Sequence, residues 1–162
     1  MPAPTRGEYI RKFGEALRVQ KLKVSEQITK EAKKIISEGE GETQEVIDMC
    51  DFATGLSRQL YGLTMPSERP DHRLQEIWQP LGIVGCVTAF NFPVAVFGWN
   101  FCIAAVCGNS IIWKPSPRSN ECARGIKNAW DKISDDFSDL ILILEGGNEE
   151  SVALCELSLI HI

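Results

Sequence analysis

Hydrophobic residues fall along this 162-residue chain in two rhythms, and the change from one to the other divides it near residue 80. Between Thr5 and Val19 the residues Ile10, Phe13 and Leu17 recur at helical intervals with charges between them, which predicts an amphipathic helix over 5–19. A second helix is predicted over 23–37, where Val24, Ile28, Ala32 and Ile35 keep the spacing until Gly39-Glu40-Gly41 stops it. A third is predicted over 45–61, with Val46, Met49, Cys50, Ala53, Leu56 and Leu60 on one stripe and Gly62 at its end. All three stripes read as core packing, so Cys50 is expected to be a small buried hydrophobe and not a nucleophile.

Residues 63–72 contain Pro66, Ser67, Pro70 and Asp71 and read as a loop. His72 to Trp78 alternates like an exposed strand and turns at Gln79-Pro80. Beyond this point the rhythm changes to short, unbroken apolar runs. Ile83 to Thr88, bounded by Gly82 and by Asn91-Phe92-Pro93, reads as a fully buried strand. A helix should follow, with Asn91 as a cap-type residue, Pro93 in the first turn and Gly108 as the closing C′ glycine. Ser110 to Lys114 is a second buried strand, stopped by Pro115. Strand, helix and strand at this spacing make a right-handed βαβ unit and hence an α/β sheet protein. A helix over 121–133 with Ile126, Ala129, Trp130 and Ile133 inward, a strand over 140–144 and a short helix near 149–155 continue the alternation. Leu157 to Ile162 is expected to begin a fourth strand.

Composition adds mainly exclusions. With 44% hydrophobic and 24% charged residues the chain has the makings of an ordinary globular core. A net charge of −5 gives no basic footprint for nucleic acid, and the lysines of 21–34 alternate with Glu26 and Glu31 as on a solvated helix. The longest apolar region, 92–107, is broken by Pro93, Gly98 and Asn100, so no membrane span is expected, and residues 1–12 lack a targeting pattern. Six cysteines without a Cys-x-x-Cys pair or a histidine cluster point to reduced thiols inside the cell and to no metal site.

Candidate chemistry collects at the ends of the two buried strands. Asn91 stands where strand turns into helix at the carboxyl edge of a parallel sheet, where such folds place ligands; a helix cap and an amide facing substrate both fit the position. Lys114 ends its strand at the same edge, either as a snorkelling lysine or as a ligand donor. The three-glycine dinucleotide fingerprint is absent, since Gly82 and Gly85 lie at and inside the strand.

Phe90-Asn91-Phe92-Pro93, Gly108-Asn109 and Trp113-Lys114-Pro115-Ser116, at this separation, resemble the NAD(P)-dependent aldehyde dehydrogenase superfamily. The run Phe92 to Asn100, with Cys50 to Arg58 and Met65 to Arg69, resembles its antiquitin (α-aminoadipic semialdehyde dehydrogenase) branch, over residues 6–155. The resemblance implies an N-terminal helical part over 1–71, a strand over 72–80 joining an oligomerisation sheet, and an incomplete Rossmann-like nucleotide-binding region over 81–162. It implies that Asn91 donates to the oxyanion of a thiohemiacetal, that Lys114 hydrogen-bonds the adenosine ribose, and that Val87, Thr88, Ala89 and Phe90 line the nucleotide. NAD as cofactor, a small aldehyde (a semialdehyde in this branch) as substrate, a homo-oligomer, and a cytoplasmic or mitochondrial location are implied with it. Pro117 replaces the glutamate that many members use to hold the ribose, and Ser151 replaces a glycine near the cofactor. Glu145-Gly146-Gly147-Asn148 looks like the family's general-base motif but comes too early to match it, and Cys86, Cys102, Cys107, Cys122 and Cys155 do not match its nucleophile. The expectation is an amino-terminal part of a longer enzyme, inactive alone; the alternative is a non-catalytic nucleotide-binding or regulatory partner of full-length subunits.

Overall fold

The computed structural model describes residues 1–133, 135–157 and 160–161. Two long helices, α1 (Ala3–Ala32) and α2 (Ile36–Leu56), form an antiparallel hairpin. The two helices expected over 5–19 and 23–37 are therefore one, because Gln20, Lys21 and Leu22 are helix formers and nothing breaks the chain between them. The turn falls at Lys33, which adopts the left-handed conformation (φ 58°, ψ 32°), and Ile35 is exposed there and not in the core. Gly39-Glu40-Gly41 is not a stop: α2 runs through it, and Gly39 permits close packing, since a Cβ at this position would lie 2.6 Å from the Ser25 carbonyl oxygen. The third helix so begins nine positions before the expected residue 45 and ends at Leu56, not 61.

Between hairpin and sheet, β1 (Thr64–Pro66) pairs antiparallel with β2 (Arg73–Gln75) in an exposed ribbon. The expected loop over 63–72 thus contains a strand, and the strand expected over 72–78 is confined to three residues. The main sheet is parallel and ordered β5-β4-β3-β6, with β3 (Ile83–Val87), β4 (Ser110–Lys114), β5 (Ile141–Ile143) and β6 (Ile160–His161). Residues 158, 159 and 162 of the expected fourth strand lie outside the described residues, and Leu157 precedes it. α3 (Ala95–Val106), α4 (Asn120–Asp131) and α5 (Asn148–Glu156) are the crossover helices, α4 ending two residues before the expected boundary at 133.

The sequence pattern explains the layering. Ile10, Phe13, Leu17 and Ile28 from α1, Val46, Ile47 and Cys50 from α2, and Phe97, Phe101 and Cys102 from α3 are all fully buried. An aromatic cluster ties the layers together: Phe97 lies flat on Trp113 of β4 with centroids 3.7 Å apart, while Phe13 and Phe101 both meet Trp130 of α4 edge-on. Such pairs contribute roughly 0.5–1.5 kcal/mol each beyond the area they bury. Gly108, at φ +95°, closes α3 as expected; the Asn109 amide reaches back to the Ala104 carbonyl at 2.9 Å and the Gly108 amide to Ala105 at 3.0 Å.

Candidate functional site

From β3 the chain proceeds to β4 and β5 on one side and comes back to β6 on the other, so the order β5-β4-β3-β6 places a topological switch point between β3 and β6. The residues after β3 therefore line the crevice in which open α/β sheets hold their ligands. In register, Val87 pairs with Lys114, and the Thr88 amide donates to the Lys114 carbonyl at 3.1 Å, so the two strand ends emerge together. Val87, Ala89 and Phe90 are exposed along this edge. Thr88 faces inward, its hydroxyl accepting from the Trp113 indole at 2.9 Å.

Asn91 is exposed, and among the described residues its side chain has no hydrogen-bond partner. α3 begins four residues later, at Ala95, with Val94 as its N-cap and Pro93 ahead of it. Asn91 is thus not the helix cap, and Pro93 does not occupy the first helical turn. The capping is done from a distance: Glu42 of α2 accepts the Val94 amide at 2.7 Å and the Ala95 amide at 3.1 Å through one carboxylate oxygen. Its other oxygen pairs with Lys34 at 3.0 Å. Lys114 is only 4% exposed, yet its ammonium makes a single contact among the described residues, to the neighbouring Pro115 carbonyl at 3.1 Å. An ammonium offers three donors, so this buried cation has capacity left for a ligand's oxygens.

A helix N-terminus is the usual phosphate cradle of a dinucleotide fold. Here those of all three crossover helices hold carboxylates. Glu42 closes α3, Glu31 accepts the Glu121 and Cys122 amides of α4 at 3.1 and 2.7 Å, and Glu150 folds back onto the Gly147 amide before α5 at 2.6 Å. The missing glycine fingerprint has its physical counterpart in these occupied amides. Sequence reading missed Glu31 and Glu42 because their partners lie 90 and 52 residues away, and no local pattern marks such a cap.

Four of the thiols are held away from the reactive thiolate form. Burial pushes Cys86 up to about 12, against a hydrogen bond from Asn100. Cys102 is raised by its contact with Cys50, 3.6 Å away, and by burial. Burial also raises Cys107 and, together with Glu31, Cys122. Glu145 is held below the usual carboxylate range by a bidentate contact with Arg124, both distances 2.7 Å, the opposite of what a general base needs. Among the described residues no cluster of His, Cys, Asp or Glu could hold a metal ion, and no helix is long and apolar enough to cross a membrane. Two clefts of about 390 and 480 Å³ open at the other end of the strands, beside Pro80, Asn109 and the end of α3.

The model of the aldehyde dehydrogenase family matches residues 1–158. The chain belongs to this family. Among its curated relatives, "Aldehyde dehydrogenase family 7 member A1" of Malus domestica is 60% identical over 117 residues, covering 72% of this chain and 23% of that protein. "Alpha-aminoadipic semialdehyde dehydrogenase" of Rattus norvegicus is 49% identical over 136 residues, covering 84% and 25%. The chain accordingly spans about a quarter of the length of these relatives. In fold it is similar to a point mutant of the betaine aldehyde dehydrogenase of Staphylococcus aureus solved with NAD+, with a TM-score of 0.87 at 20% identity over 92% of this chain and 30% of that one. The resemblance to the antiquitin branch is thereby borne out. In this aldehyde dehydrogenase family chain the edge of β3 and β4 brings together, among the described residues, an unengaged amide and a buried ammonium.

Proposed function

We propose that this chain supplies the first half of the nucleotide-binding region, and the oxyanion donor, of an enzyme that oxidises a small aldehyde to a carboxylic acid with NAD. A semialdehyde such as α-aminoadipic semialdehyde is the substrate class we favour, on the strength of the branch it resembles. The carrying observation is the Asn91 side chain, exposed at the switch point and free of any partner among the described residues. Were it a structural cap it would be engaged with α3, and Glu42 has that role instead. Its amide would donate to the negative oxygen that forms when a thiolate adds to the aldehyde carbonyl, an interaction worth about two to three orders of magnitude in rate. The thiolate, and the carboxylate that activates water for hydrolysis of the thioester, would come from chain outside these residues.

Lys114 would donate to the adenosine ribose hydroxyls, with Val87, Thr88, Ala89 and Phe90 along the nucleotide. The cofactor supplies the hydride acceptor; these residues bind and orient it. The division into a helical part over 1–71, a strand over 72–80 shared with another subunit and a nucleotide-binding region from 81 belongs to the same reading, as do a homo-oligomer and a cytoplasmic or mitochondrial location. The test is NADH formation at 340 nm from short aliphatic aldehydes and semialdehydes. The full-length enzyme should turn over, and residues 1–162 alone should not. Turnover by residues 1–162 that disappears when one of the five cysteines at 86, 102, 107, 122 or 155 becomes serine would overturn it.

A further inference from the structure

We propose that Glu42 and Lys34 are a positioning pair that fixes the turn bearing Asn91, an inference that rests on the oxyanion reading of Asn91. The turn is held on both sides of that residue. Ahead of it, the Arg118 guanidinium lies over the Phe90 ring at 5.0 Å. Directly after it, the Lys34 ammonium lies over the Phe92 ring at 3.7 Å. Two residues further on, the Val94 and Ala95 amides end on Glu42, whose other oxygen holds Lys34. One ion pair therefore grips the segment at two points, through a ring and through the backbone, and Asn91 is the polar side chain this leaves unengaged.

Capping alone does not call for this arrangement. A serine or asparagine at position 94 would cap α3 locally for about 1 kcal/mol, with no ion pair to desolvate. The structure instead has an apolar N-cap, Val94, and a glutamate that is 3% exposed. A buried carboxylate satisfied by two amides and an ammonium is rigid, and rigidity is what an oxyanion donor requires: its position must be set before charge develops. Removing part of that constraint should cost turnover and leave ground-state binding of the aldehyde in place.

The experiment is a double-mutant cycle in the full-length enzyme. Glu42→Gln keeps shape and removes charge; it should lower kcat about fivefold with the aldehyde KM unchanged. In an Asn91→Ala background the same change should cost less than about 1.5-fold, since a positioning residue has nothing left to position. Lys34→Met should act in the same direction and carries the test if Glu42→Gln fails to fold. Hydrogen exchange at the Val94 and Ala95 amides should quicken in both variants. An equal loss of kcat in both backgrounds marks a merely structural role and overturns the proposal, as does an unchanged kcat. Full turnover by Asn91→Ala alone sinks the oxyanion reading itself.

Discussion

The turns that leave β3 and β4 come out at the same edge of the sheet, begin alike and finish differently. Each leads to a helix whose first amides are taken by a glutamate from the helical hairpin, Glu42 for α3 and Glu31 for α4. After β4 the polar side chains serve the turn itself: Ser116 accepts the Arg118 amide at 3.3 Å, and the Ser119 hydroxyl donates to the Ser116 carbonyl at 3.2 Å. After β3 the flanking groups are held and Asn91 is not. The difference separates two forms of one scaffold, a turn that closes on itself and a turn held by its surroundings that leaves one amide unengaged, which on the reading proposed above serves a ligand. Both helix ends are shut to phosphate, so among the described residues the groups with unused donors that this edge still offers a ligand include Asn91 and, at the head of the second turn, Lys114.

The comparison breaks most readily at the asparagine. In the full-length enzyme Asn91→Ala should lower kcat about a hundredfold with little change in affinity for the cofactor, whereas Ser116→Ala should leave kcat within about twofold. Steady-state kinetics on the two variants side by side decides it, and similar losses would erase the distinction between the turns. Lys114→Ala should raise the Michaelis constant for NAD about tenfold, the scale of one charged hydrogen bond. If that constant does not move, Lys114 is only a strand end.

A third change sharpens the contrast between the two glutamates. Glu31→Gln should lower stability by about 1 kcal/mol, read as a shift in urea midpoint at constant slope, and leave kcat alone, because α4 carries no reacting group. Glu31 also helps hold the Cys122 thiol above its ordinary value, second to burial. Loss of its negative charge should bring that thiol down, so alkylation of Cys122 at a given pH should be faster in the variant. A slower reaction would mean that Glu31 acts on α4 by shape and not by charge.

The sheet was legible in the sequence and the hairpin was not, for physical reasons. Ile83 to Val87 and Ser110 to Lys114 are short apolar runs punctuated by Gly82, Pro93, Gly108 and Pro115, and these signals are local. Gly39 misled because a glycine that ends a helix and one that lets two helices touch look alike in one dimension; only the Ser25 carbonyl across the interface tells them apart. The edge chemistry was half legible. Asn91 and Lys114 stand out from position, but the contact that leaves Asn91 unengaged runs from Glu42 of α2 to amides 52 and 53 residues away.

Lys33 gives the smallest effect and bears on both turns, since Glu31 and Lys34 sit on either side of it. It is a non-glycine residue at φ 58°, a conformation that costs an L-residue about 1 kcal/mol. Lys33→Gly removes that strain. It also loosens the unfolded chain and withdraws a positive charge from the end of α1, where it interacts favourably with the helix dipole, so part of the gain is given back. The net should be a stabilisation of about 0.5 kcal/mol, seen as a rise in Tm of about 1–2 °C for a chain of this size. Turnover of the full-length enzyme should not change, because Glu31, Lys34 and Glu42 keep their places when the turn keeps its dihedrals. A fall in Tm would mean that the lysine side chain contributes more than its backbone costs. Raised stability accompanied by lost turnover would mean that the stiffness of this turn is itself part of what holds Asn91.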